Sequence, residues 1–398
     1  MDYLQTKIYY KSMLRYTGYM KKRWVTIGAI GLVLLLVTAG VLVWIFRDTI
    51  FRSQLVQPVE PGSQTQQSER QGIWSEVSVV ASTLDTPWSL AFLPGGDILV
   101  TERNGQVQRI GAEGTTYEVS GVQETGEGGL LGMALHPDFT TNNYVYLYLT
   151  TAQDGGLTNR VERYTLQNDT LSGQTTILAG IPAASNHNGG GIAFGPDAKL
   201  YVTTGDAAQP ELAQDTGSLA GKILRLNDDG SALSDNPFNN LVWSYGHRNP
   251  QGITWDADKR LWSVEHGPSG ERKGRGKDEL NLVERGANYG WPVIAGDETA
   301  DGMRSPVAHS SESNTWAPSG IAYYDGSLFF AGLRGQTLYE ARIENDDSVT
   351  LTEHFNGTYG RLRAVGVHDN QLYFTSSNRD GRGKPLQDDD RIYRFSFL

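Results

Sequence analysis

Cysteine is absent from all 398 residues, and histidine is scarce at seven. A chain without thiols has neither a disulfide framework nor a thiolate metal site. Net positive charge is missing as well: the formal balance is −11, which argues against a nucleic-acid partner. Long apolar runs are lacking except at Trp24 to Phe46, "WVTIGAIGLVLLLVTAGVLVWIF", where no charge interrupts the sequence.

That stretch is long enough to cross a hydrocarbon core of roughly 30 Å as a helix. Trp24 and Trp44 lie near its ends, where interfacial aromatics belong. It exceeds the usual apolar core of a signal peptide, and no clear small-residue cleavage site follows, so an uncleaved anchor is expected over 24–46. Lys21, Lys22 and Arg23 precede it and keep residues 1–23 on the cytoplasmic side, sending the C-terminal part outside. Within residues 1–47 seven basic residues face only Asp2, a net +6, which leaves the remaining 351 residues with about −17. Residues 47–72 are polar, with "QLVQPVEPGSQTQQSERQ" showing no apolar periodicity, and read as a flexible tether. The folded domain is expected over 73–398.

What the chain has in quantity is glycine, 47 residues, with 19 tyrosines and nine tryptophans. Short apolar runs between turn residues favour an all-β protein. One phrase recurs six times: a small residue, an apolar pair, a turn and an alternating strand. It appears as "WSLAFLPGGDILVTER", "LLGMALHPDFTTNNYVYLYLT", "GGIAFGPDAKLYVTTGD", "QGITWDADKRLWSVEHG", "SGIAYYDGSLFFAGLRG" and "RAVGVHDNQLYFTSSN". Each reads as a hairpin, and most are followed by a further strand pattern such as "GQVQRI", "GKILRLN" or "DRIYRF". Four strands repeated six times predict a six-bladed β-propeller of antiparallel blades, with "WSEVSVVAS" completing the last blade. A sandwich with long insertions is the competing fold, and six copies in one phase disfavour it.

Loops on one face of a propeller converge on its axis, so unusual loop residues belong together. In "SNHNGGGIAFGPD", His187 stands before three glycines that let backbone and ligand approach closely, and a neutral imidazole there suits a general base. In "YGHRNPQG", Arg248 and Asn249 offer a cationic fork and an amide for a planar anion, or a pairing with a neighbouring blade's carboxylate. In "EHGPSGERKGRGKDELNLVERGANYGWP", the Gly267 and Pro268 carbonyls, Asp278, Glu279 and the Tyr289 carbonyl are oxygen donors of the kind calcium takes. Arg334 in "GLRG" and Arg361 with Arg363 in "GRLRAV" add cations within an acidic domain, which favours a bound anion over arginines paired within the fold.

Taken in order, "GEGGLLGMALHPDF", "NHNGGGIAFGPD", "YGHRNPQG", "EHGP", "DELN", "GANYGWP", "APSG", "GLRG" and "GRLRAV" resemble the glucose/sorbosone dehydrogenase family, the soluble quinoprotein aldose sugar dehydrogenases, over about Pro87 to Leu398. The resemblance implies a six-bladed propeller that binds pyrroloquinoline quinone (PQQ) with calcium and oxidises the anomeric hydroxyl of an aldose to a lactone. It implies that His187 takes the hydroxyl proton while hydride passes to the quinone. Arg248, Asn249, Gly332, Leu333, Arg334, Arg361 and Arg363 would hold the cofactor. The carbonyls of Gly267 and Pro268 would hold the calcium that polarises it, and Glu279 with Tyr289 a second, structural calcium. Glu127 stands where related enzymes often have a glutamine touching PQQ, and its carboxylate repels an anion unless protonated or turned toward calcium. Arg334 stands where some relatives have lysine.

The anchor implies a membrane quinone or an extracytoplasmic cytochrome as electron acceptor. Two other functions fit a propeller: a calcium-dependent sugar lactonase, against which the arginine set argues, and a non-catalytic surface receptor, which needs no base beside a quinone cradle.

Overall fold

The computed structural model describes residues 74–397 apart from 112, 113, 272 and 346. The basic N-terminus, the anchor expected at 24–46 and the expected tether lie outside the described residues, and among the described residues no helix is long and apolar enough to cross a membrane. The domain is a ring of six four-stranded antiparallel sheets.

After β1 (Ser78–Ala81), blade one comprises β2 (Pro87–Phe92), β3 (Ile98–Glu102), β4 (Gln106–Ile110) and β5 (Thr115–Glu118). Blade two is β6 (Leu130–Leu135), β7 (Tyr144–Gln153), β8 (Gly156–Gln167) and β9 (Thr170–Pro182), and blade three is β10 (Ile192–Phe194), β11 (Leu200–Thr204), β12 (Lys222–Leu226) and β13 (Val242–Tyr245). Blade four opens with β14 (Pro250–Trp255) and β15 (Leu261–Glu265), is interrupted by the small hairpin β16 (Ser269–Glu271) and β17 (Gly274–Arg275), and resumes with β18 (Glu279–Val283) and β19 (Ala308–His309). Blade five is β20 (Pro318–Tyr324), β21 (Ser327–Gly332), β22 (Leu338–Ile343) and β23 (Val349–His354). Blade six contains β24 (Leu362–His368), β25 (Gln371–Ser376) and β26 (Ile392–Ser396), and β1 pairs with β26 as its outermost strand. The six sequence copies are therefore the two inner strands of each blade, and the strand before the first copy closes the ring as expected.

The second strand of each blade is apolar on both sides because each sheet is sandwiched between two others. Side chains alternate along a strand, so Phe329 and Ala331 point into the cluster shared with blade six while Leu328 and Phe330 point into the one shared with blade four. In blade one, Leu99 faces blade two while Ile98 and Val100 face blade six. Each fully buried Leu, Val or Phe stabilises such a seam by about 1.5–3 kcal/mol.

The small residue that opens the repeat has a separate cause. A Cβ on Gly132 would lie 2.1 Å from the Gly190 carbonyl oxygen, one on Gly191 2.4 Å from that of Gln251, and one on Gly252 2.3 Å from that of Ser319. Inner strands of successive blades thus meet main chain to main chain around the axis, and a side chain would force them apart. They line an open central channel of about 640 Å³.

Candidate active site

His187 lies in the loop entering β10 with φ of 58°, followed by Gly189 at 64° and Gly190 at 115°. A Cβ on Gly189 would come within 2.6 Å of the Thr203 carbonyl oxygen, and one on Gly190 within 2.8 Å of the Leu131 side chain. The three glycines therefore admit neighbouring main chain and side chains, and Gly189 also lines the cleft.

What orients the imidazole is a residue the sequence reading missed. Asp206, fully buried just past β11, lies 2.7 Å from His187 Nδ1 through its Oδ1. The same carboxylate accepts the Ala208 N–H at 2.8 Å and, on Oδ2, the Trp291 indole N–H at 2.8 Å. With Nδ1–H donating to Asp206, a neutral His187 keeps its lone pair on Nε2. Asp206 also ties this loop to its neighbour, since its N–H donates to the Arg248 carbonyl at 2.8 Å. The signal was available: "TTGD" ends the same inner hairpin whose preceding loop carries the histidine.

A cleft at the axis brings together Glu127, Leu333 and Arg363 of the expected set with Gln251, His266 and Arg382, which the sequence reading did not single out. Arg363 spans from blade six to blade four, donating from Nη1 to Gln251 Oε1 at 2.7 Å, with its guanidinium 5.4 Å from the Trp88 ring. Burial pushes its pKa down to about 9, with repulsion from Arg361 and Arg103 working against the attraction of Asp380 and Glu127. Gln251 in turn donates to the Gly189 carbonyl and to Asn249 Oδ1, which also accepts the Gly189 N–H at 2.9 Å. Arg248 is nearly fully buried; its N–H donates to Glu265 Oε1 at 2.7 Å, and its guanidinium sits 5.4 Å from the Trp291 ring and 3.3 Å from the His266 carbonyl. Glu265 also accepts from His247 Nδ1 at 2.8 Å, so one carboxylate at the end of β15 fixes the whole "GHRN" turn.

The arginines at 361 and 363 do different work. Arg361 donates from Nε and Nη2 to Asp380 Oδ2 at 2.9 and 2.6 Å, and from Nη1 to the Leu333 carbonyl at 3.1 Å. It is the arginine paired within the fold, the alternative the sequence left open, and Arg363 is the one that lines the cleft. Gly332 packs against Tyr339, and Arg334 is exposed in the turn after β21, its main-chain N–H bonded to the Trp316 carbonyl.

Glu127 is held ionised by a neighbouring guanidinium. Burial alone would raise its carboxyl, but the charges of His266 and Arg382 and the His187 N–H pull it down to about 2. His266 is itself pushed down to about 4 by burial, so at neutral pH Arg382 supplies the cation. Arg382 Nη1 donates to Glu127 Oε1 at 3.0 Å, while Oε2 accepts the His187 N–H at 3.1 Å.

Among the described residues, no group of three or more His, Cys, Asp or Glu side chains converges to hold a metal. Asp278 is fully engaged: Oδ1 accepts the Gly267 N–H, and Oδ2 accepts from Ser310 Oγ and the main chain of Trp316 and Ala317. It shapes the loop that presents the Gly267 and Pro268 carbonyls. Glu279 is cross-strand partner to Glu265, and burial together with that second carboxylate raises its pKa. Asn281 donates to it at 3.1 Å, and the Asn281 Oδ1 is buried with no partner among the described residues. A buried acid held against a like charge beside an unpaired amide oxygen is relieved by a hard cation. The Tyr289 ring stacks on His247 at 4.7 Å and its hydroxyl donates to the Leu282 carbonyl, leaving only its main chain for such a role.

The protein-family description that matches the chain is Glucose / Sorbosone dehydrogenase, over residues 84–389. An aldose sugar dehydrogenase of Escherichia coli K12 is 35% identical over 345 residues, 77% of this chain and 91% of that one. The PQQ-bound aldose sugar dehydrogenase of Streptomyces coelicolor superposes with a TM-score of 0.75 at 41% identity, covering 81% of this chain and 98% of that one. A structure described as a putative oxidoreductase (glucose dehydrogenase) from Thermus thermophilus gives 0.77 at 44% identity, covering 80% and 99%. On these matches the chain belongs to the glucose/sorbosone dehydrogenase family.

Proposed function

We propose that this protein is a PQQ- and calcium-dependent aldose sugar dehydrogenase that oxidises the anomeric hydroxyl to a lactone. The observation that carries the reading is the His187–Asp206 pair beside a cationic cleft, 2.7 Å between Nδ1 and Oδ1. PQQ fits on physical grounds, because Asn249 Nδ2 and Arg363 Nε are buried donors with no partner among the described residues, and a planar polycarboxylate supplies the missing acceptors. Arg248, Asn249 and Arg363 would hold it, with Leu333 forming apolar wall and Gly332, Arg334 and Arg361 shaping the surrounding turns. The Gly267 and Pro268 carbonyls would hold the calcium next to it, and Glu279 with the Tyr289 carbonyl a second one.

When bound, PQQ with its calcium supplies the two-electron acceptor. The chain supplies the proton chemistry: His187 Nε2 takes the proton of the sugar O1–H, and the electron pair of the breaking C1–H bond leaves for the acceptor as the C1–O1 double bond forms. Asp206 fixes the tautomer and stabilises the imidazolium that results. A membrane anchor at 24–46 places the domain outside the cytoplasm, with a membrane quinone or a cytochrome taking the electrons.

The test is reconstitution of the chain with PQQ and calcium, then dye reduction with a panel of aldoses. Reduction requiring all three components supports the reading. Sugar binding without dye reduction would favour a receptor, and lactone hydrolysis without PQQ a lactonase.

A further inference from the structure

The loop between β25 and β26 reaches the cleft through Arg382, and its base is held by a set of hydrogen bonds. Asp390 accepts Ser376 Oγ at 3.2 Å and the Asn378 N–H at 2.5 Å on Oδ1, and the Arg379 N–H at 3.2 Å on Oδ2. Asn378 Nδ2 donates to Asp389 Oδ2 at 3.0 Å. Beyond this base the loop makes two reciprocal ion pairs. Asp380 of the loop takes Arg361 of blade six, and Arg382 of the loop takes Glu127 from the segment that leads into blade two.

The two pairs differ in exposure, and that decides which one moves. The side chains of Arg361 and Asp380 are 10% and 3% exposed, those of Arg382 and Glu127 59% and 21%. Breaking a buried pair strands a charge, whereas a solvent-facing pair contributes little and is screened by salt. Asp380 is therefore the fixed post and Arg382 the movable end. Glu127 carries the pairing inward, because its carboxylate receives the His187 N–H and its own N–H donates to the Ser185 carbonyl at 2.7 Å. His187 sits at positive φ, a conformation that neighbouring contacts must maintain.

We propose that Arg382 is a positioning residue: its pairing with Glu127 clasps the β25–β26 loop over the cleft and holds the His187 loop in register for sugar oxidation. The clasp also neutralises Glu127, the carboxylate that lines the cleft among the described residues. Its catalytic half rests on the dehydrogenase reading; its structural half does not.

The experiment uses the full chain, with Arg382→Ala and Arg382→Lys beside the parent. Amide hydrogen exchange is read without cofactor over residues 183–189 and 379–385. Arg382→Ala is expected to speed exchange in both segments by about fivefold, the scale an exposed ion pair supports. Arg382→Lys should stay close to the parent, and about 1 M salt should make the parent resemble Arg382→Ala. Exchange in 183–189 that ignores both the substitution and salt overturns the clasp, whatever the protein does with PQQ. In the second arm, release of bound PQQ is followed after dilution into excess chelator and apo-protein. Faster release from Arg382→Ala supports closure over the cleft, and equal release rates overturn it. A parent that takes up no PQQ in the presence of calcium sinks the dehydrogenase reading, while the exchange rates still decide whether Arg382 holds the loop.

Discussion

Replacing Asp206 by Asn tests whether the histidine acts as a base held in one tautomer. The carboxylate accepts three N–H groups, from His187 Nδ1 and Ala208 on Oδ1 and from Trp291 on Oδ2. An amide has one acceptor oxygen, so every rotamer fails somewhere. With its oxygen toward His187, its NH₂ meets the Trp291 N–H, donor against donor; reversed, its NH₂ donates to Nδ1 and forces the proton onto Nε2, which removes the base. The reversed form satisfies both ring systems and leaves only the main-chain Ala208 N–H facing a donor, and it is the one expected to dominate. Loss of a correctly oriented general base lowers kcat by about 10²–10⁴-fold. Loss of a buried charge-assisted hydrogen bond lowers stability by about 1.5–3 kcal/mol. The assay is dye reduction at saturating PQQ, calcium and aldose, with PQQ affinity titrated separately. A kcat within about threefold of the parent would refute the assignment, because general-base catalysis of the expected size cannot survive the wrong tautomer.

His187→Ala should abolish turnover while leaving PQQ binding nearly intact, read by the same two assays. Arg363→Met should weaken PQQ binding by about 1.5–3 kcal/mol, the scale of a charged hydrogen bond, in a titration of the apo-protein. Arg361→Ala should instead lower stability by about 3–5 kcal/mol, since it strands buried Asp380, and urea unfolding reads that directly. Burial raises the Asp390 carboxyl from 3.8 to about 6, so its stabilising contribution is complete below pH 3.8 and lost as pH rises through 6. Relative to Asp390→Asn, the parent should therefore lose about 2–2.5 kcal/mol between pH 4 and pH 7 in urea titrations. Trp74 makes edge contacts with Phe329, His354 and Phe395 where the ring closes, and Trp74→Ala should lower stability by about 3 kcal/mol.

The propeller was readable because its inner strands obey one local rule six times. A strand buried on both faces is an uninterrupted apolar run, the turn beside it needs Pro, Gly, Asn or Asp, and the strand next to the axis needs a small residue where main chains touch. All three demands fall within a single hairpin, so they leave a repeating phrase. The outer strands carry no such signature: β5, "TTYE", is mostly exposed, and β19 is only two residues long. Blade four's third strand, β18, was hidden by the hairpin inserted before it, since Glu279 and Asn281 on one of its faces break the apolar pattern for reasons of charge rather than packing.

The site divides along a similar line. His187, Arg248, Asn249 and Arg363 are conspicuous because each is an expensive residue to bury, and an expensive residue beside glycines or a strand start draws notice. Their partners are ordinary in sequence and acquire meaning only through contacts between loops. Asp206 is 19 residues from His187, Glu265 is 17 from Arg248, Asp380 is 19 from Arg361, and Arg382 is 255 from Glu127. The first three pairs share nearly one spacing, because each partner lies at or just past the end of the inner hairpin that its residue precedes; Arg382 and Glu127 belong to different blades, and only the geometry of the ring joins them. The sequence problem posed by Glu127 shows the consequence. A carboxylate beside an anion-binding cleft had two apparent remedies, protonation or a metal, and both were local. The molecule uses a third, a guanidinium delivered from the last blade, and that choice makes the charge balance of the cleft depend on whether one exposed ion pair is closed.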